Sequence, residues 1–464
     1  MTTPPDWLAP ALAYIPSWLS YQVRSTEQPG CAIAIAYQGE IVLEAACGHA
    51  DLNTGEALTP RHRFRVASHS KSFTAAAILK LREQGLLKLD DAVGRYVAGL
   101  HPDIASATLT QLLSHSAGVV RDGPDCGYWA DRAPFLDKNA LLAELAAAPA
   151  IDPNTRLKYS NHGFGLAGLV IEAATGEPYG VWVKREVVDA AGLTETTPDV
   201  PLPPGARLAR GHSGKALLGR RLIFPGDQPT NALAPATGFV STAADLARFF
   251  AQLSPKAETS MLSVASRREM SRAQWKESWS AMPVTYGLGT IGSTFETWEG
   301  VGHSGGFQGY LTRTSTVAAQ DITVSCLTNA ADGSAHVWLD GAMSILRRFE
   351  ESGPPVPALA DWTGRWWSVW GATDLVPAGE TVFLATPAMP SPLMKATELT
   401  VTGPDEARIS QAGAFASYGE PARLIRGRDG KVSEVAVAGS RLVTEAAMTA
   451  EMIARYEGEG GASR

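Results

Sequence analysis

The sequence has no run of about 20 uninterrupted apolar residues, the length that a helix needs to cross a membrane. Residues 1–22 are moderately apolar, but they include Asp6 and lack the basic segment that begins a signal peptide. We therefore expect a cytoplasmic protein that has no membrane partner.

Basic charge is also in short supply. The chain has 40 Lys and Arg residues against 47 Asp and Glu residues, which gives a net charge of -7. Proteins that bind nucleic acids concentrate positive charge to attract phosphates, so we expect no nucleic-acid partner. A hydrophobic fraction of 45% over 464 residues predicts a globular chain that can bury a full core and divide into two domains.

Cysteine is rare, and its spacing gives no sign of metal binding. The four cysteines form no CxxC pair, and the nine histidines form no HExxH motif. The sequence therefore predicts no metal ion and no cofactor. Cys31 and Cys47 are expected on neighbouring strands, but a two-residue turn at Gln38-Gly39 would place Ala46 opposite Cys31. Without a bulge, these two thiols should not meet.

An antiparallel sheet is predicted from both ends of one domain. Alternating apolar residues predict an early hairpin followed by a helix with one buried face, and residues 100–250 alternate helical segments with Pro and Gly breaks. Strand-like segments then return before a last helix. The predicted strands are 31–37, 40–47, 286–290, 309–317 and 322–328, and the predicted helices include 70–87, 109–114, 138–148, 164–175, 242–253 and 334–350.

Residues 352–360, SGPPVPALA, have the composition of a linker. Beyond them, short β-like segments alternate with turn signals, which is the pattern of a small antiparallel barrel. We predict one domain at 1–354 and a β-barrel domain at 355–464. The predicted fold class is α+β, with an antiparallel sheet flanked by helices and a small C-terminal antiparallel barrel.

One tetrad of the form SxxK, Ser68 to Lys71, lies at the start of a predicted helix. Residues three apart on a helix share a face, so the hydroxyl and the amine should lie together near the positive end of the helix. An amine with a lowered pKa could take the proton of Ser68 and make it a nucleophile. The alternative is a helix-capping serine beside a solvated lysine, and the tetrad alone does not decide between the two.

Two further motifs follow the tetrad. Tyr159-Ser160-Asn161 has the form YxN on a loop before a predicted helix, and His303-Ser304-Gly305 has the form HxG before a strand predicted to begin near Gly309. The order SxxK, YxN, HxG resembles that of the serine beta-lactamase and penicillin-binding-protein superfamily, with its D-aminopeptidase and class C esterase branch. The resemblance covers about residues 30–350 and implies that the first predicted domain is catalytic.

The resemblance implies roles for the first two motifs. Ser68 is the expected nucleophile and Lys71 is its base. Tyr159 is expected to lie within hydrogen-bond reach of Ser68 and to pass a proton to the leaving group. Asn161 is expected to bind Lys71 or the acyl-side carbonyl of the substrate; the alternative is simple capping of its loop.

The resemblance places the substrate beside the third motif. The backbone N–H groups of Ser68 and Gly306 are expected to form the oxyanion hole, with Gly305 and His303 also at the substrate site. Beta-lactamases usually have Lys where this chain has His303, and they use its charge to hold a substrate carboxylate. Because His is mostly neutral near pH 7, this departure favours amidases, D-amino-acid-specific aminopeptidases and esterases.

Three functions therefore stay open. The leading hypothesis is a hydrolase of small amides or short peptides, including those with an N-terminal D-residue, and a carboxylesterase is the close alternative. The third is a penicillin-binding sensor that is acylated without turnover, or an acyltransferase. The segment from Trp362 resembles the lipocalin-like barrel of some peptidases of this superfamily. That resemblance leaves open a homo-oligomer assembled through the C-terminal domain.

Overall fold

The computed structural model describes residues 3–277, 284–413 and 417–457. The chain divides into two compact units, one formed by Glu27–Leu339 and the other by Met1–Thr26 together with Asp340–Arg464. The N-terminal segment thus belongs to the same unit as the C-terminal region. The domain boundary predicted between residues 354 and 355 stays a prediction.

The described residues form twelve α-helices. Helix α2 ends at Glu83 rather than at residue 87, and Gly85 behind it has a left-handed φ of +75°, which suits the end of a helix. The helices are α1 (Leu8–Ser25), α2 (Ser70–Glu83), α3 (Pro102–Ser106), α4 (Leu109–Leu113), α5 (Lys138–Leu145), α6 (Asn161–Thr175), α7 (Tyr179–Val183), α8 (Ala234–Thr237), α9 (Ala243–Gln252), α10 (Val264–Ser271), α11 (Ala335–Ser352) and α12 (Glu445–Tyr456).

The described residues also form two groups of strands, one before α11 in the sequence and one after it. The strands before α11 are β1 (Gly30–Tyr37), β2 (Glu40–Asp51), β3 (Glu56–Ala57), β4 (Phe64–Arg65), β5 (Val240–Ser241), β6 (Trp275–Glu277), β7 (Val284–Tyr286), β8 (Ile291–Phe295), β9 (Trp298–Phe307), β10 (Tyr310–Val317) and β11 (Ile322–Thr328). The strands after it are β12 (Gly364–Ser368), β13 (Gly371–Ala378), β14 (Thr381–Ala385), β15 (Thr397–Gly403), β16 (Glu406–Gln411), β17 (Pro421–Arg426), β18 (Val432–Val437) and β19 (Ser440–Val443).

An antiparallel sheet forms the centre of the unit Glu27–Leu339. In the residues that the structure describes, it has nine strands in the order β3-β2-β1-β11-β10-β9-β8-β7-β6. The early hairpin joins the later strands where β1 pairs with β11, as the sequence predicted. Both strands are buried along almost their whole length, which explains why apolar and small residues fill their sequences.

The register predicted for Cys31 was wrong. A β-bulge between Ile35 and Ala36 shifts the pairing of β1 with β2, so that Cys31 lies opposite Cys47. Cys31 also approaches Cys326 of β11, and their Sγ atoms are 3.5 Å apart. All three cysteines are free thiols that lie together within the sheet.

Helices cover the sheet and build the core that holds α2. Helix α9 packs against β1 and β11. Phe73 of α2 stacks on Phe249 of α9, with ring centroids 3.8 Å apart, and on Phe239, at 4.3 Å. Because these rings are fully buried, they fix the position of α2, whose N-terminal end bears the SxxK tetrad.

The other unit contains a closed antiparallel barrel of the eight described strands β12–β19. Trp362 and Trp366 are buried in its core, whereas the side chain of Trp370 is 94% exposed. Helix α1 packs within this unit through Trp18, whose Nε1 donates to the backbone O of Met389 at 3.2 Å. The N-terminal helix is therefore part of the unit that contains the barrel.

The predicted fold class is confirmed: an antiparallel sheet flanked by helices, with a small C-terminal antiparallel barrel. Most predicted helices and strands fall within a few residues of their observed positions. Across the described ranges, no helix combines the length and the apolar character required to span a membrane.

Candidate active site

The predicted nucleophile, Ser68, lies in a 3-10 turn, Ala67–His69, that leads directly into α2. Ala67 has a φ of +47°, a left-handed conformation that residues with a side chain rarely adopt. Ser68 is half-buried, whereas its neighbours in the turn are buried. The hydroxyl of Ser70, two residues on, is used structurally, since it donates to Ala67 O and accepts from the N–H of Phe239.

Lys71 is fully buried in the first turn of α2. Its Nζ lies 3.1 Å from Ser68 Oγ, and it donates to Asn161 Oδ1 at 2.7 Å and to the backbone O of Ala236 at 2.8 Å. Burial lowers the pKa of Lys71 well below its usual value, although the negative charge of Asp122 opposes this shift. Burial thus favours the neutral amine, which is the form that can accept a proton.

The three neighbours of Lys71 Nζ determine where a neutral amine would direct its lone pair. Such an amine has two N–H groups and one lone pair. Asn161 Oδ1 and the backbone O of Ala236 can only accept, so they take the two N–H groups. The lone pair is then left for Ser68 Oγ, the third neighbour. This arrangement suits removal of the Ser68 proton by Lys71.

Tyr159 lines the same cleft as Ser68. Its ring centroid is 4.7 Å from Lys71 Nζ. Burial raises the pKa of Tyr159 above its usual value, although a hydrogen bond with the Ser68 side chain acts to lower the pKa of its hydroxyl. The phenol therefore keeps its proton near neutral pH and is available as a donor.

Asn161 is the first residue of α6, and Ser160 is the N-cap, whose hydroxyl accepts from the N–H of Gly163 at 2.8 Å. The helix predicted to begin at Phe164 therefore begins three residues earlier. The YxN motif spans the junction of a loop and a helix. Because Asn161 is inside the helix, its side chain has a fixed starting direction toward Lys71.

The HxG motif precedes β10 (Tyr310–Val317), as expected, but it also lies inside β9, a strand that the sequence did not predict. A Cβ on Gly305 would be 2.2 Å from the backbone O of Val66 and 2.6 Å from Thr312 Oγ1. Only glycine lets β9 lie this close to the chain that leads to Ser68. A Cβ on Gly306 would meet only Leu311, at 3.4 Å, among the described atoms, so there is open space on that side of the strand.

His303 is buried, with a relative exposure of 2%. Its Nε2 is 3.0 Å from the hydroxyl of Tyr286, and its Nδ1 lies 2.7 Å from the backbone O and 3.0 Å from the backbone N of Ser304. Burial lowers the pKa of His303 well below its ordinary value, and the nearby His69 and Lys71 lower it further. His303 is therefore a neutral side chain, held by Tyr286, at neutral pH.

A cleft of about 330 Å³ opens beside Ser68, and its lining contains most of the predicted site residues. Lys71 and Asn161 lie behind Ser68, connected to it by the hydrogen bonds above. Because a histidine such as His336 is mostly neutral at pH 7, Arg121 is the side chain among the described lining residues that is charged at neutral pH. The lining residues are Ser68, Arg121, Tyr159, Ile291, His303, Ser304, Gly305, Gly306, Leu311 and His336.

The sequence hypothesis missed two parts of the site. Arg121 and Asp122 belong to a loop behind the tetrad, and Asp122 Oδ1 accepts from Asn161 Nδ2 at 2.6 Å. Tyr286 binds His303 from β7. These residues are not part of a recognisable motif, and their partners are distant along the chain, so no local signal could have identified them.

The profile of the family described as Beta-lactamase matches residues 17–342, which is more than half of the chain. The chain belongs to the Beta-lactamase family. Among curated relatives, penicillin-binding protein 4 of Amycolatopsis lactamdurans is 27% identical over 322 residues, which covers 65% of this chain and 81% of the relative. This family membership agrees with the resemblance inferred from the three motifs.

Two solved structures have the same fold. The octameric penicillin-binding protein homologue from Pyrococcus abyssi aligns with a TM-score of 0.64 and 21% identity, covering 93% of this chain and 100% of that protein. The D-amino acid amidase from Ochrobactrum anthropi SV3 aligns with a TM-score of 0.63 and 22% identity, covering 73% and 99%. The first alignment extends over both compact units of this chain.

Proposed function

We propose that this protein is a serine hydrolase that forms an acyl-enzyme on Ser68 and cleaves small amides or short peptides, including those with a D-residue. The observation behind this proposal is the set of bonds around Lys71 Nζ. Two acceptors occupy its N–H groups and Ser68 Oγ is its third neighbour, 3.1 Å away. A buried amine in this arrangement can act as a general base toward the hydroxyl.

In the first step, Lys71 Nζ takes the proton of Ser68 as Oγ forms a bond to the substrate carbonyl carbon. The carbonyl oxygen becomes an oxyanion, which the N–H groups of Ser68 and Gly306 would stabilise. The C=O bond then re-forms, and the bond to the leaving group breaks. The leaving nitrogen or oxygen takes a proton from Tyr159, which recovers one from Lys71.

Water completes the cycle. A water molecule gives up a proton to the same network as its oxygen attacks the acyl carbon, and cleavage of the ester bond returns the proton to Ser68 Oγ and releases the acid. Asn161 Oδ1 accepts a hydrogen bond from Lys71 throughout. An acceptor other than water would give acyl transfer from the same intermediate, so the acyltransferase hypothesis uses the same residues.

A carboxylesterase is the second candidate, and the charge of the cleft favours it. Among the described lining residues no carboxylate is present to pair with a free ammonium group, and Arg121 would repel such a group, although weakly, because Asp122 Oδ2 lies 3.0 Å from Arg121 Nε. A neutral ester meets neither difficulty. The aminopeptidase hypothesis therefore requires a substrate ammonium that stays in solvent at the mouth of the cleft.

The test compares turnover of D-alanine p-nitroanilide, L-alanine p-nitroanilide and p-nitrophenyl butyrate. Ser68→Ala should lower kcat by at least about a thousandfold on every substrate that is cleaved. Ser304→Ala, a serine in the same cleft, is the matched control and should stay active. Good cleavage of the D-anilide supports the amidase, and cleavage of the ester alone makes the protein an esterase.

Two outcomes would contradict the proposal. Wild-type rates in Ser68→Ala would show that Ser68 is not the nucleophile. A stoichiometric burst of p-nitroaniline or p-nitrophenol without further turnover would show a sensor that is acylated but not regenerated. Multiple turnovers that depend on Ser68 exclude the sensor.

A further inference from the structure

Asp122 is a half-buried carboxylate that touches the site from behind. Its Oδ1 accepts from Asn161 Nδ2 at 2.6 Å and from Trp129 Nε1 at 3.1 Å, and its Oδ2 lies 3.0 Å from Arg121 Nε. The backbone O of Asp122 accepts from the hydroxyl of Tyr128 at 2.8 Å. Four groups thus hold this one residue in place.

The loop that contains Asp122 is also fastened to the start of α6. The backbone O of Arg121 accepts from the N–H of Asn161 at 2.9 Å. Asn161 is therefore held twice by consecutive residues, once through its backbone and once through its side-chain amide. Both ties fix the position of the amide relative to Lys71.

The carboxylate decides which way the Asn161 amide faces. An ionised carboxylate can only accept hydrogen bonds, so the Asn161 NH2 group must face Asp122. The amide oxygen then faces Lys71, as observed. If the amide rotated by half a turn, its NH2 group would face Lys71 and compete with Ser68 for the amine lone pair.

We propose that Asp122 is a positioning residue that holds the Asn161 amide so that the lone pair of Lys71 is kept for Ser68. The proposal rests on the proposed function, in which Lys71 is the base. Asp122 is absent from the lining of the cleft, within the residues described, so it acts through Asn161 rather than on the substrate.

The charge of Asp122 has a second, separable effect on Lys71. Burial lowers the pKa of Lys71, Asp122 raises it, and Arg121 from the same loop lowers it. The other titratable groups around the amine are Tyr159, His115 and His303, and burial keeps all three neutral. Removing the charge of Asp122 should therefore lower the Lys71 pKa further and move the acid limb of the activity profile to lower pH.

The test measures the rate at which a fluorophosphonate labels Ser68, from pH 5 to pH 10, by intact mass. This readout depends on the nucleophile and its base but not on the natural substrate. Asp122→Asn should label about 10- to 100-fold more slowly at the plateau, by analogy with the loss caused by removing outer residues that orient the ligands of metal sites. Its acid limb should move to lower pH, because the neutral Lys71 persists at lower pH.

Asp125→Asn is the matched control, because Asp125 lies in the same loop and its Oδ1 accepts from the N–H of Gly127 instead. It should label at the wild-type rate with the wild-type acid limb. In an Asn161→Ala background, Asp122→Asn should slow labelling less than about threefold, because the amide it orients is gone. Equal rates and acid limbs in Asp122→Asn and Asp125→Asn would overturn the inference.

Trp129→Phe keeps the charge of Asp122 and removes one of its donors, so it replaces Asp122→Asn if that variant does not fold. It should slow labelling several-fold with no change in the acid limb, and wild-type labelling would overturn the inference. If the wild-type protein cleaves none of the three chromogenic substrates but Asp122→Asn still labels more slowly than wild type, the positioning role is supported and the proposed hydrolase function fails. The two claims can therefore fail independently.

Discussion

At the scale of single residues, burial acts in opposite directions on the proposed base and the proposed acid of the site. It lowers the pKa of the Lys71 amine and raises that of the Tyr159 phenol. Both groups are therefore favoured in their neutral forms near pH 7, one with a lone pair and the other with a proton. A solvent-exposed pair with the same atoms would have a charged lysine, which could not act as a base.

This arrangement predicts a one-sided pH profile. Because the neutral amine is the active form, kcat/KM should rise with pH through the Lys71 pKa and level off well below pH 10.5. No fall should follow up to pH 10, because burial holds the pKa of Tyr159 above that value. The measurement is kcat/KM from pH 5 to pH 10 on whichever chromogenic substrate is cleaved.

Two variants control the profile. Lys71→Arg keeps a cation that does not lose its proton in this range, so it should have no plateau at any pH. Tyr159→Phe should lower the plateau by about 10²- to 10⁴-fold without moving the acid limb. An alkaline fall near pH 9 that disappears in Tyr159→Phe would mean that the phenol ionises much earlier than its burial implies.

The residues of the site could be predicted from sequence only where they form local motifs. Ser68 and Lys71 are three residues apart, and Tyr159 and Asn161 are two apart, so each pair is visible as a spacing. Asp122 lies 39 residues from Asn161, and its bond to the amide exists only after the loop folds onto α6. A lone Asp in a loop has no spacing that marks it.

At the scale of elements, β9 combines close packing with an open site. The backbone of Gly305 and Gly306 passes between the chain before Ser68 and the cleft. The Gly305 side of the strand is buried, and Gly306 is exposed to the cleft. The sequence predicted a strand only from about Gly309, because glycine is rare in strands. In β9 each of the two glycines has a local reason: the close approach of another backbone at Gly305 and the open side of the strand at Gly306.

The two glycines should therefore respond differently to a methyl group. Gly305→Ala places Cβ 2.2 Å from a backbone oxygen that cannot move freely, and it should cost about 1–3 kcal/mol of folding stability. Gly306→Ala has room and should change the unfolding free energy by less than about 1 kcal/mol. It should nevertheless lower kcat/KM at least about tenfold, because the methyl group enters the space for the substrate carbonyl.

Urea unfolding of the two alanine variants, together with kcat/KM on the best substrate, checks this split. A fully active Gly306→Ala would mean that the substrate carbonyl does not approach Gly306, and the second donor of the oxyanion hole would have to be sought elsewhere. An undisturbed Gly305→Ala would mean that β9 can move away from Val66 at little cost.

The register of an element depends on details that an alternating pattern does not contain. The hairpin β1–β2 was placed correctly, but its pairing was wrong because a bulge places one extra residue, Val42 of β2, opposite the step from Ile35 to Ala36. One inserted residue exchanges the face of every later side chain, which brought Cys47 opposite Cys31. The pattern of apolar residues along a buried strand does not show where a bulge lies.

At the scale of the whole molecule, segments far apart in the sequence build one compact unit. Within that unit, Tyr14 of α1 donates to Asp374 at 3.0 Å, and Asp374 forms two bonds with Arg365, at 2.7 and 2.8 Å. The hydroxyl and the carboxylate are 360 residues apart in sequence. Composition and periodicity predicted the helix and the barrel separately, but pairing between such distant segments has no local signature.

A tight contact in this unit lies between α1, α11 and the loop before β15. A Cβ on Gly341 would be 2.2 Å from the backbone O of Pro390 and 2.4 Å from the ring of Trp18. Alanine normally stabilises a helix relative to glycine by up to about 1 kcal/mol. Here Gly341→Ala should instead destabilise the unit by about 1–3 kcal/mol, because neither neighbour has room to move.

Gly180→Ala is the matched control, since Gly180 lies in α7 and a Cβ there would meet no described neighbour within 4 Å. Hydrogen–deuterium exchange should become faster in α1 and in the barrel strands of Gly341→Ala, and it should stay unchanged in β1 and β11. Gly180→Ala should leave both regions as they are. Equal acceleration in α1 and β1 would contradict the prediction, because the substitution would then not act on the unit of α1 alone.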